Sequence, residues 1–153
     1  GKYVYGDKGL FFLSANNKQQ LHINEKTPEL PTIVNSFSQN KSGRNTFIAT
    51  PKGFYLMDRD NNVKLLANKE CYSVFVDENN QVWLSAYDGV YTGNLADFTS
   101  GNIDSLRIND RVSIIPNSRI RTIKRNKDGS KFLLSDFEAY QIFSLEQTAI
   151  RYD

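Results

Sequence analysis

The sequence has 153 residues, of which 24% are charged and 12% aromatic, and its formal net charge is +2. This composition excludes a disordered chain, and so small a net charge does not indicate a polyanionic partner such as a nucleic acid. No apolar run exceeds four residues, so the sequence predicts neither a membrane-spanning helix nor a signal peptide. The start, GKYVYG, lacks an initiator Met, and we expect it to be a processed or trimmed end.

Short β-rich segments bounded by Asn, Asp, Gly and Ser recur along the chain, and helical periodicity is nearly absent. Each copy reads as a strand, a turn, a second strand with an aromatic residue, a third strand and a weaker fourth strand. First strands are predicted at 34–37, 72–76 and 120–123, and the aromatic residues of the second strands are Tyr3, Phe47, Trp83 and Phe132. Third strands begin near Gly9, Gly53, Gly89 and Ala139, and fourth strands are predicted at 20–23, 63–66, 106–108 and 149–152.

The aromatic residues of the second strands are 44, 36 and 49 residues apart. Four strands in about 40 residues match one blade of a β-propeller. We therefore expect one all-β domain of β-propeller-type blades, about four four-stranded antiparallel meanders, with large aromatic side chains filling the space between neighbours. The predicted units are 1–31, 32–70, 71–117 and 118–153. A β-sandwich or an irregular stack of meanders is the alternative.

The copies differ in three places. The first unit starts at its second strand, the third carries an insertion at Asn94–Ser105, and a long connection, Asn109–Arg119, precedes the fourth. An open arc of such units would expose sheet faces and edges. We therefore expect a segment of a larger propeller, or two chains that complete one ring, so that other blades or a second copy are partners.

The residues give no catalytic constellation, and no catalytic, cofactor or metal residue is predicted. His22 is the single histidine and Cys71 the single cysteine, and we expect His22 to be a surface or packing residue and Cys71 a small buried hydrophobe. Asp58 and Asp60 lack the later Gly and Glu of a calcium loop, so an Asx turn is expected. The basic stretch 107–131 is interpreted as a solvated strand and turn, with a phosphate or acidic-sugar surface as the alternative.

One set of loops is expected to carry any ligand site. In a propeller, the loops that join strands two and three share one face with those that lead from strand four to the next unit. We expect this face to present Tyr87, Asp88, Arg111, Arg119 and Asp136. An exposed Tyr ring beside Arg and Asp is suited to sugar recognition, whereas ordinary loop residues are the competing interpretation.

The phrase YSVFVDENNQVWLSAYDGVY, residues 72–91, resembles the repeat of two-component regulator propellers. The matching residues are Asp77, Asn80, Trp83, Leu84, Ser85 and Gly89. The other units match in outline, with Phe47 and Phe132 in place of Trp and Ala139 in place of Gly. The resemblance implies the periplasmic sensor region of a bacterial hybrid two-component regulator, in which glycans are the expected ligands and a kinase lies elsewhere in the full-length protein.

The function expected from this resemblance is non-enzymatic recognition of an oligosaccharide or other small ligand, without a cofactor. A propeller that binds a protein partner is the first alternative. An enzyme that processes polysaccharides is the second, and His22 would be its main candidate residue.

Overall fold

The structure, a computed structural model, describes residues 2–16, 20–108, 120–144 and 148–152. Within them, the strands form four antiparallel sheets. The first sheet holds β1 (Lys2–Gly6), β2 (Gly9–Leu13) and β3 (Gln20–His22), and the second holds β4 (Ser36–Gln39), β5 (Thr46–Thr50), β6 (Gly53–Met57) and β7 (Val63–Ala67). The third holds β8 (Cys71–Val76), β9 (Val82–Ala86) and β10 (Gly89–Gly93), and the fourth holds β11 (Thr122–Arg125), β12 (Lys131–Leu134), β13 (Ala139–Ser144) and β14 (Thr148–Tyr152).

Each sheet is a meander in which strands adjacent in sequence pair with each other. This order confirms the predicted all-β fold of propeller-type blades. The first sheet has three strands, and its meander begins at the strand that carries Tyr3, as the sequence predicts. The unit limits given above stay a prediction, because residues 109–119 lie outside the described part of the chain.

Asx turns connect the first two strands of the later sheets. In the third sheet, Asp77 Oδ1 accepts hydrogen bonds from the backbone N–H groups of Asn79 and Gln81, at 2.9 and 3.0 Å. Asn80 takes a φ of 58° in this turn, a left-handed conformation that Asn tolerates better than most residues. The Asn- and Asp-rich gaps of the sequence are therefore hairpin turns.

The first strands of the sheets lie side by side, with β8 between β4 and β11. Serine hydroxyl groups connect them: the N–H groups of Val74 and Val76 donate to Ser36 Oγ and Ser38 Oγ, at 3.2 and 3.0 Å. On the other side, Ile123 N–H donates to Ser73 Oγ at 3.4 Å. The side chains of one strand thus satisfy backbone groups of the next, as buried or half-buried polar groups require.

Three apolar clusters hold the sheets together. The first, between sheets one and two, includes Leu10 and Ile48; the second, between sheets two and three, includes Phe47 and Leu84. The third, between sheets three and four, includes Trp83 with residues of β11–β13. None of the three clusters that the described residues form joins sheet four to sheet one. Each sheet thus packs on the next in chain order, and we call this row of four sheets the arc.

The insertion at 94–105 belongs to the core between sheets two and three. It contains α2 (Leu95–Thr99), capped by Asn94, and a 3-10 helix (Ile103–Leu106), while a further short helix, α1 (Ile23–Lys26), follows β3. Phe98 is buried and meets Phe54 in a T-shaped, edge-to-face contact, with 5.5 Å between the ring centroids. The fourth strand predicted at 106–108 is wrong: the helix ends at Leu106, and a single bridge between Tyr91 and Arg107 remains. The insertion therefore lies against β10, where a fourth strand of the third sheet would have paired.

Candidate ligand-binding face

Loops from successive sheets come together at one end of the arc, which we call the loop face. It includes the β5–β6 turn (residues 51–52), the β9–β10 turn (87–88) and the β12–β13 turn (135–138). Two connections between sheets join them: residues 27–35, after α1, and residues 68–70, after β7. Among the described residues, two hollows on this face are each lined by a turn within one sheet and a connection between sheets.

The larger hollow, which we call the Tyr87 hollow, has a volume of about 530 Å³. It is lined by Pro51, Lys52, Asn68, Lys69, Glu70 and Tyr87. Tyr87 is 53% exposed, and its backbone N–H donates to the carbonyl oxygen of Glu70 at 3.0 Å. The backbone is thus fixed while the ring stays open to solvent, beside an ammonium, an amide and a carboxylate.

The smaller hollow, of about 310 Å³, adjoins the first. It is lined by Pro28, Leu30, Pro31, Thr32, Ile33, Pro51 and Lys52. Pro51 and Lys52 line both hollows and form the ridge between them. Since three of its seven lining residues are prolines, whose φ angles are fixed, this hollow has a stiff wall.

Lys69 is the centre of an ion-pair network at the edge of the Tyr87 hollow. Its Nζ donates to Asp104 Oδ1 at 2.7 Å, to the Tyr91 hydroxyl at 2.8 Å and to Asp88 Oδ2 at 3.1 Å. Burial disfavours the charged ammonium, but the hydrogen bonds to Asp104, Tyr91 and Asp88 outweigh burial and raise the pKa of Lys69. Lys69 therefore stays charged. Its ion pairs with Asp104 and Asp88 connect the insertion to the β9–β10 turn of the loop face.

The fourth sheet contributes a second ion pair to this face. Arg121 Nε donates to Asp136 Oδ1 at 2.9 Å, and the guanidinium lies over the Tyr72 ring, 4.7 Å from its centroid. Between these two contacts, Arg121 connects the β12–β13 turn to the third sheet. Phe137, the next residue of the turn, is 92% exposed.

The structure distributes the five predicted ligand residues unevenly. Tyr87 lines the larger hollow, whereas Asp88 and Asp136 are held in ion pairs with Lys69 and Arg121. Arg111 and Arg119 lie outside the described residues. Asn68, Lys69 and Glu70 also line the hollow, but no sequence motif marks them. The only signal for them is the position of the β7–β8 connection between two sheets.

The other residues considered from the sequence have structural roles here. The His22 ring stacks on Phe11 with 4.4 Å between centroids, and its Nδ1 lies 3.1 Å from Glu25 Oε1. Cys71 is fully buried, and burial raises the pKa of its thiol to about 12. Asp58 Oδ1 accepts from the N–H groups of Asp60 and Asn62 at 2.8 and 2.9 Å, which is an Asx turn.

Part of the basic stretch is neutralised by acidic side chains. Arg125 and Lys131 pair with Glu78 and Asp77, across the boundary between sheets three and four. The Lys131 ammonium also lies over the Trp83 ring, 5.5 Å from its centroid. Together with the pair of Arg121 and Asp136, these contacts favour the interpretation as strand and turn residues over a phosphate-binding surface.

Similarity to known proteins is found at the level of structure. No protein-family model matches the sequence, and no curated protein matches it. Among solved structures, the chain is similar to the extracellular domain of BT3049 from B. thetaiotaomicron, a proposed hybrid two-component system, with 16% identity and a TM-score of 0.66. That match covers 92% of this chain and 18% of the other.

The extracellular domain of BT4673 from B. thetaiotaomicron gives two further matches. One has 19% identity and a TM-score of 0.60, covering 86% of this chain and 18% of the other; the second has 18% identity and 0.64, covering 91% and 19%. The chain thus spans less than a fifth of the length of these structures. The matches confirm, at the level of the fold, the resemblance to the sensor regions of two-component regulators.

Proposed function

We propose that this chain is part of the periplasmic, non-enzymatic sensor region of a bacterial two-component receptor, and that it binds an oligosaccharide at the loop face. The receptor role rests on the likeness in fold to the extracellular domains of BT3049 and BT4673. Consistently, none of the helices described is long and apolar enough to cross a membrane. A kinase, if the receptor is of the hybrid type, lies elsewhere in the full-length protein.

The Tyr87 hollow is the observation that carries the ligand proposal. A sugar ring presents an apolar C–H face and a rim of hydroxyl groups, and it therefore binds to an aromatic ring flanked by polar side chains. Tyr87 offers the exposed ring, Asn68 and Lys52 offer hydrogen-bond donors, and Glu70 offers an acceptor. Because Pro51 and Lys52 line both hollows, the two hollows are adjacent. The next sugar unit of an oligosaccharide bound at Tyr87 can therefore extend into the smaller hollow.

This site differs in part from the one expected from the sequence. Tyr87 remains its centre, while Asp88 and Asp136 hold the surrounding loops through Lys69 and Arg121. Arg111 and Arg119 belong to the connection that precedes the fourth sheet, and we retain them as proposed contacts to the ligand.

Isothermal titration calorimetry against a panel of neutral and acidic oligosaccharides tests the proposal. For any sugar that binds, we expect Tyr87→Ala to weaken binding about tenfold or more, which corresponds to about 1.4 kcal/mol. Phe143→Ala is the matched control, because Phe143 is a comparably exposed aromatic residue, 48% exposed, on β13 beyond the loop face. Unchanged binding by a double variant of Tyr87 and Arg119 would contradict the proposed site.

A protein partner at the same face is the second candidate, and Phe137 favours it. This ring is 92% exposed on the β12–β13 turn, and Ile33 is 50% exposed at the rim of the smaller hollow. Exposed aromatic side chains of this kind serve as anchors in protein interfaces. If Phe137→Ala abolishes capture of a periplasmic protein while leaving oligosaccharide binding unchanged, the loop face is a protein-binding surface as well.

We assign no reaction to the chain. The enzyme alternative depends on His22, whose ring is stacked on Phe11 and whose Nδ1 faces Glu25. Polysaccharide cleavage by the purified chain that is lost in His22→Ala would establish the enzyme and remove the sensor proposal.

A further inference from the structure

All three hydrogen atoms of the Lys69 ammonium are used within the protein, although Lys69 lines the Tyr87 hollow. An ammonium group carries three N–H donors, and Nζ donates to Asp88 Oδ2, to the Tyr91 hydroxyl group and to Asp104 Oδ1. These acceptors belong to the β9–β10 turn, to β10 and to the 3-10 helix of the insertion. Lys69 therefore acts on the hollow as a positioning residue that holds three segments together.

Asp104 is the partner of Lys69 that can leave at the lowest cost. Its side chain is 79% exposed, compared with 30% for Asp88 and 11% for Lys69 itself, and Tyr91 is 1% exposed. A carboxylate that is already largely hydrated loses little when its ion pair opens. A buried hydroxyl group that loses its partner incurs the full cost of desolvation. The contact with Asp104 is therefore the first of the three to open.

Release of Asp104 would leave Lys69 with an unused donor. Because the Lys69 side chain is only 11% exposed, that N–H would meet little water, and a charged group without its partner is costly in such a place. The ammonium would regain a partner by turning outward to water, away from Asp88 Oδ2, to which it makes the longest of its three hydrogen bonds at 3.1 Å. The β9–β10 turn would then lose its contact with Lys69.

The β7–β8 connection is the wall of the hollow that responds to Lys69. The residues that flank it, Ala67 and Cys71, are buried, so movement is confined to the short segment between them. Within this segment, the carbonyl oxygen of Glu70 accepts a hydrogen bond from the Tyr87 N–H at 3.0 Å. A movement of the Lys69 side chain therefore reaches Tyr87 through both of its neighbours, the connection and the turn.

We propose that the insertion sets the shape of the Tyr87 hollow through Lys69. With Asp104 docked on Lys69, the β7–β8 connection and the β9–β10 turn form a fixed wall, and with Asp104 released this wall loosens. This regulation rests on the function proposed above, since it concerns the site where the oligosaccharide binds. A sugar that binds better to the fixed wall favours the docked 3-10 helix in return, because coupling between two sites is reciprocal. Occupancy of the hollow is thereby transmitted to the insertion.

Amide hydrogen exchange, followed by NMR without any sugar, tests the fixed wall. We expect Asp104→Ala to speed exchange of the Tyr87 N–H about fivefold or more and to change exchange of the Gln81 N–H by less than about twofold. The Gln81 N–H donates to Asp77 Oδ1 in the turn at the opposite end of β9, so it reports on the sheet and not on the hollow. Unchanged exchange at Tyr87, or equal acceleration at both positions, overturns the proposal.

Asp97→Ala is the matched control, because Asp97 is the other aspartate of the insertion. Its carboxylate accepts from the Asn94 N–H at 2.7 Å, at the start of α2, and its removal should leave exchange at Tyr87 close to the wild-type rate. Asp104→Glu keeps the carboxylate at a site that is 79% exposed, so it should restore slow exchange. Equal acceleration by Asp97→Ala and Asp104→Ala, or no restoration by Asp104→Glu, contradicts the path through Lys69.

Calorimetry separates this regulation from the oligosaccharide proposal itself. For each sugar of the panel that binds, Asp104→Ala should weaken binding about fivefold and Asp97→Ala should not. Faster exchange at Tyr87 with unchanged sugar affinity overturns the regulation while the site stands. A panel without any binding sugar removes the oligosaccharide proposal, and the exchange rates of Tyr87 then decide alone whether Asp104 holds the wall.

Discussion

Lys69 and Asp104 are 35 residues apart in the sequence, and their side chains form a 2.7 Å hydrogen-bonded ion pair. Lys69 belongs to the connection between sheets two and three, and Asp104 to the 3-10 helix of the insertion. The same ammonium lines the Tyr87 hollow. The insertion and the candidate site are thus connected through a single side chain, and the stability of one affects the geometry of the other.

Replacing Lys69 should destabilise the protein. Lys69→Met keeps the length of the side chain but leaves Asp88 without its cation, and we expect a loss of about 1–3 kcal/mol in the free energy of unfolding. Urea denaturation measures it. Lys64→Met, on the exposed side of β7, is the control and should change stability by less than about 0.5 kcal/mol. Equal effects of both variants would contradict a structural role of the network.

Two phenylalanines near the insertion and the loop face should differ sharply in their effect on stability. Phe98 is buried against Phe54, and Phe98→Ala should cost about 3–5 kcal/mol, as expected for a large-to-small change in a core. Phe137 is 92% exposed, and Phe137→Ala should change stability by less than about 0.5 kcal/mol. Thermal unfolding of both variants checks this. A small effect at Phe98 would mean that the insertion detaches without loss of the core.

The sequence predicts the repeat because each sheet consists of strands that follow one another along the chain. Short β-rich segments that carry Phe47 and Trp83 mark the second strands, and the Asp77–Asn80 turn marks a hairpin, so local pattern is sufficient. The loop that carries Tyr87 follows from the same register. The partners of Asp88 and Asp136 do not, because Lys69 and Arg121 approach them from other elements.

The insertion is a second feature that the local sequence pattern does not predict. The repeat predicts a weak fourth strand at 106–108, but Phe98 and Ile103 pack into the cluster between sheets two and three instead. Nothing in the residues 94–105 themselves indicates where this segment folds back. Tertiary packing decides it, which local propensity does not describe.

Asn80 should be replaceable by Gly but not by Ala. Its φ of 58° lies in the left-handed region, where a Cβ atom costs roughly 1 kcal/mol and glycine incurs no such cost. We expect Asn80→Ala to lower the free energy of unfolding by about that amount and Asn80→Gly to leave it nearly unchanged. Chemical denaturation of both variants measures the difference. Equal losses would show that the Asn side chain, and not the backbone, is what the turn requires.

Cys71 should be unreactive in the folded protein. The thiol is fully buried, and burial raises its pKa to about 12, so the reactive thiolate is scarce at neutral pH and inaccessible. We expect iodoacetamide to modify Cys71 only in denaturant, with mass spectrometry as the measurement. Rapid modification without denaturant would show that the cluster between sheets two and three opens readily.

Acid should lower the free energy of unfolding, because the Asx turn at Asp58 depends on a charged carboxylate. Hydrogen bonds from the Asn62 side chain and backbone favour the carboxylate and lower the pKa of Asp58. A carboxyl group whose pKa is lower in the folded state stabilises the fold above its unfolded pKa of about 3.9, and this stabilisation is lost as the pH falls through the folded value. Asp58→Asn should therefore be less stable than the wild type at neutral pH, and the gap should narrow below pH ~3.

Urea denaturation at both pH values measures this gap. Asp60→Asn is the control, because Asp60 contributes its backbone N–H to the turn and not its carboxylate. At neutral pH, the free energy of unfolding of Asp60→Asn should be closer to the wild-type value than that of Asp58→Asn. If Asp58→Asn instead loses the same stability at both pH values, the turn depends on the shape of the side chain and not on its charge.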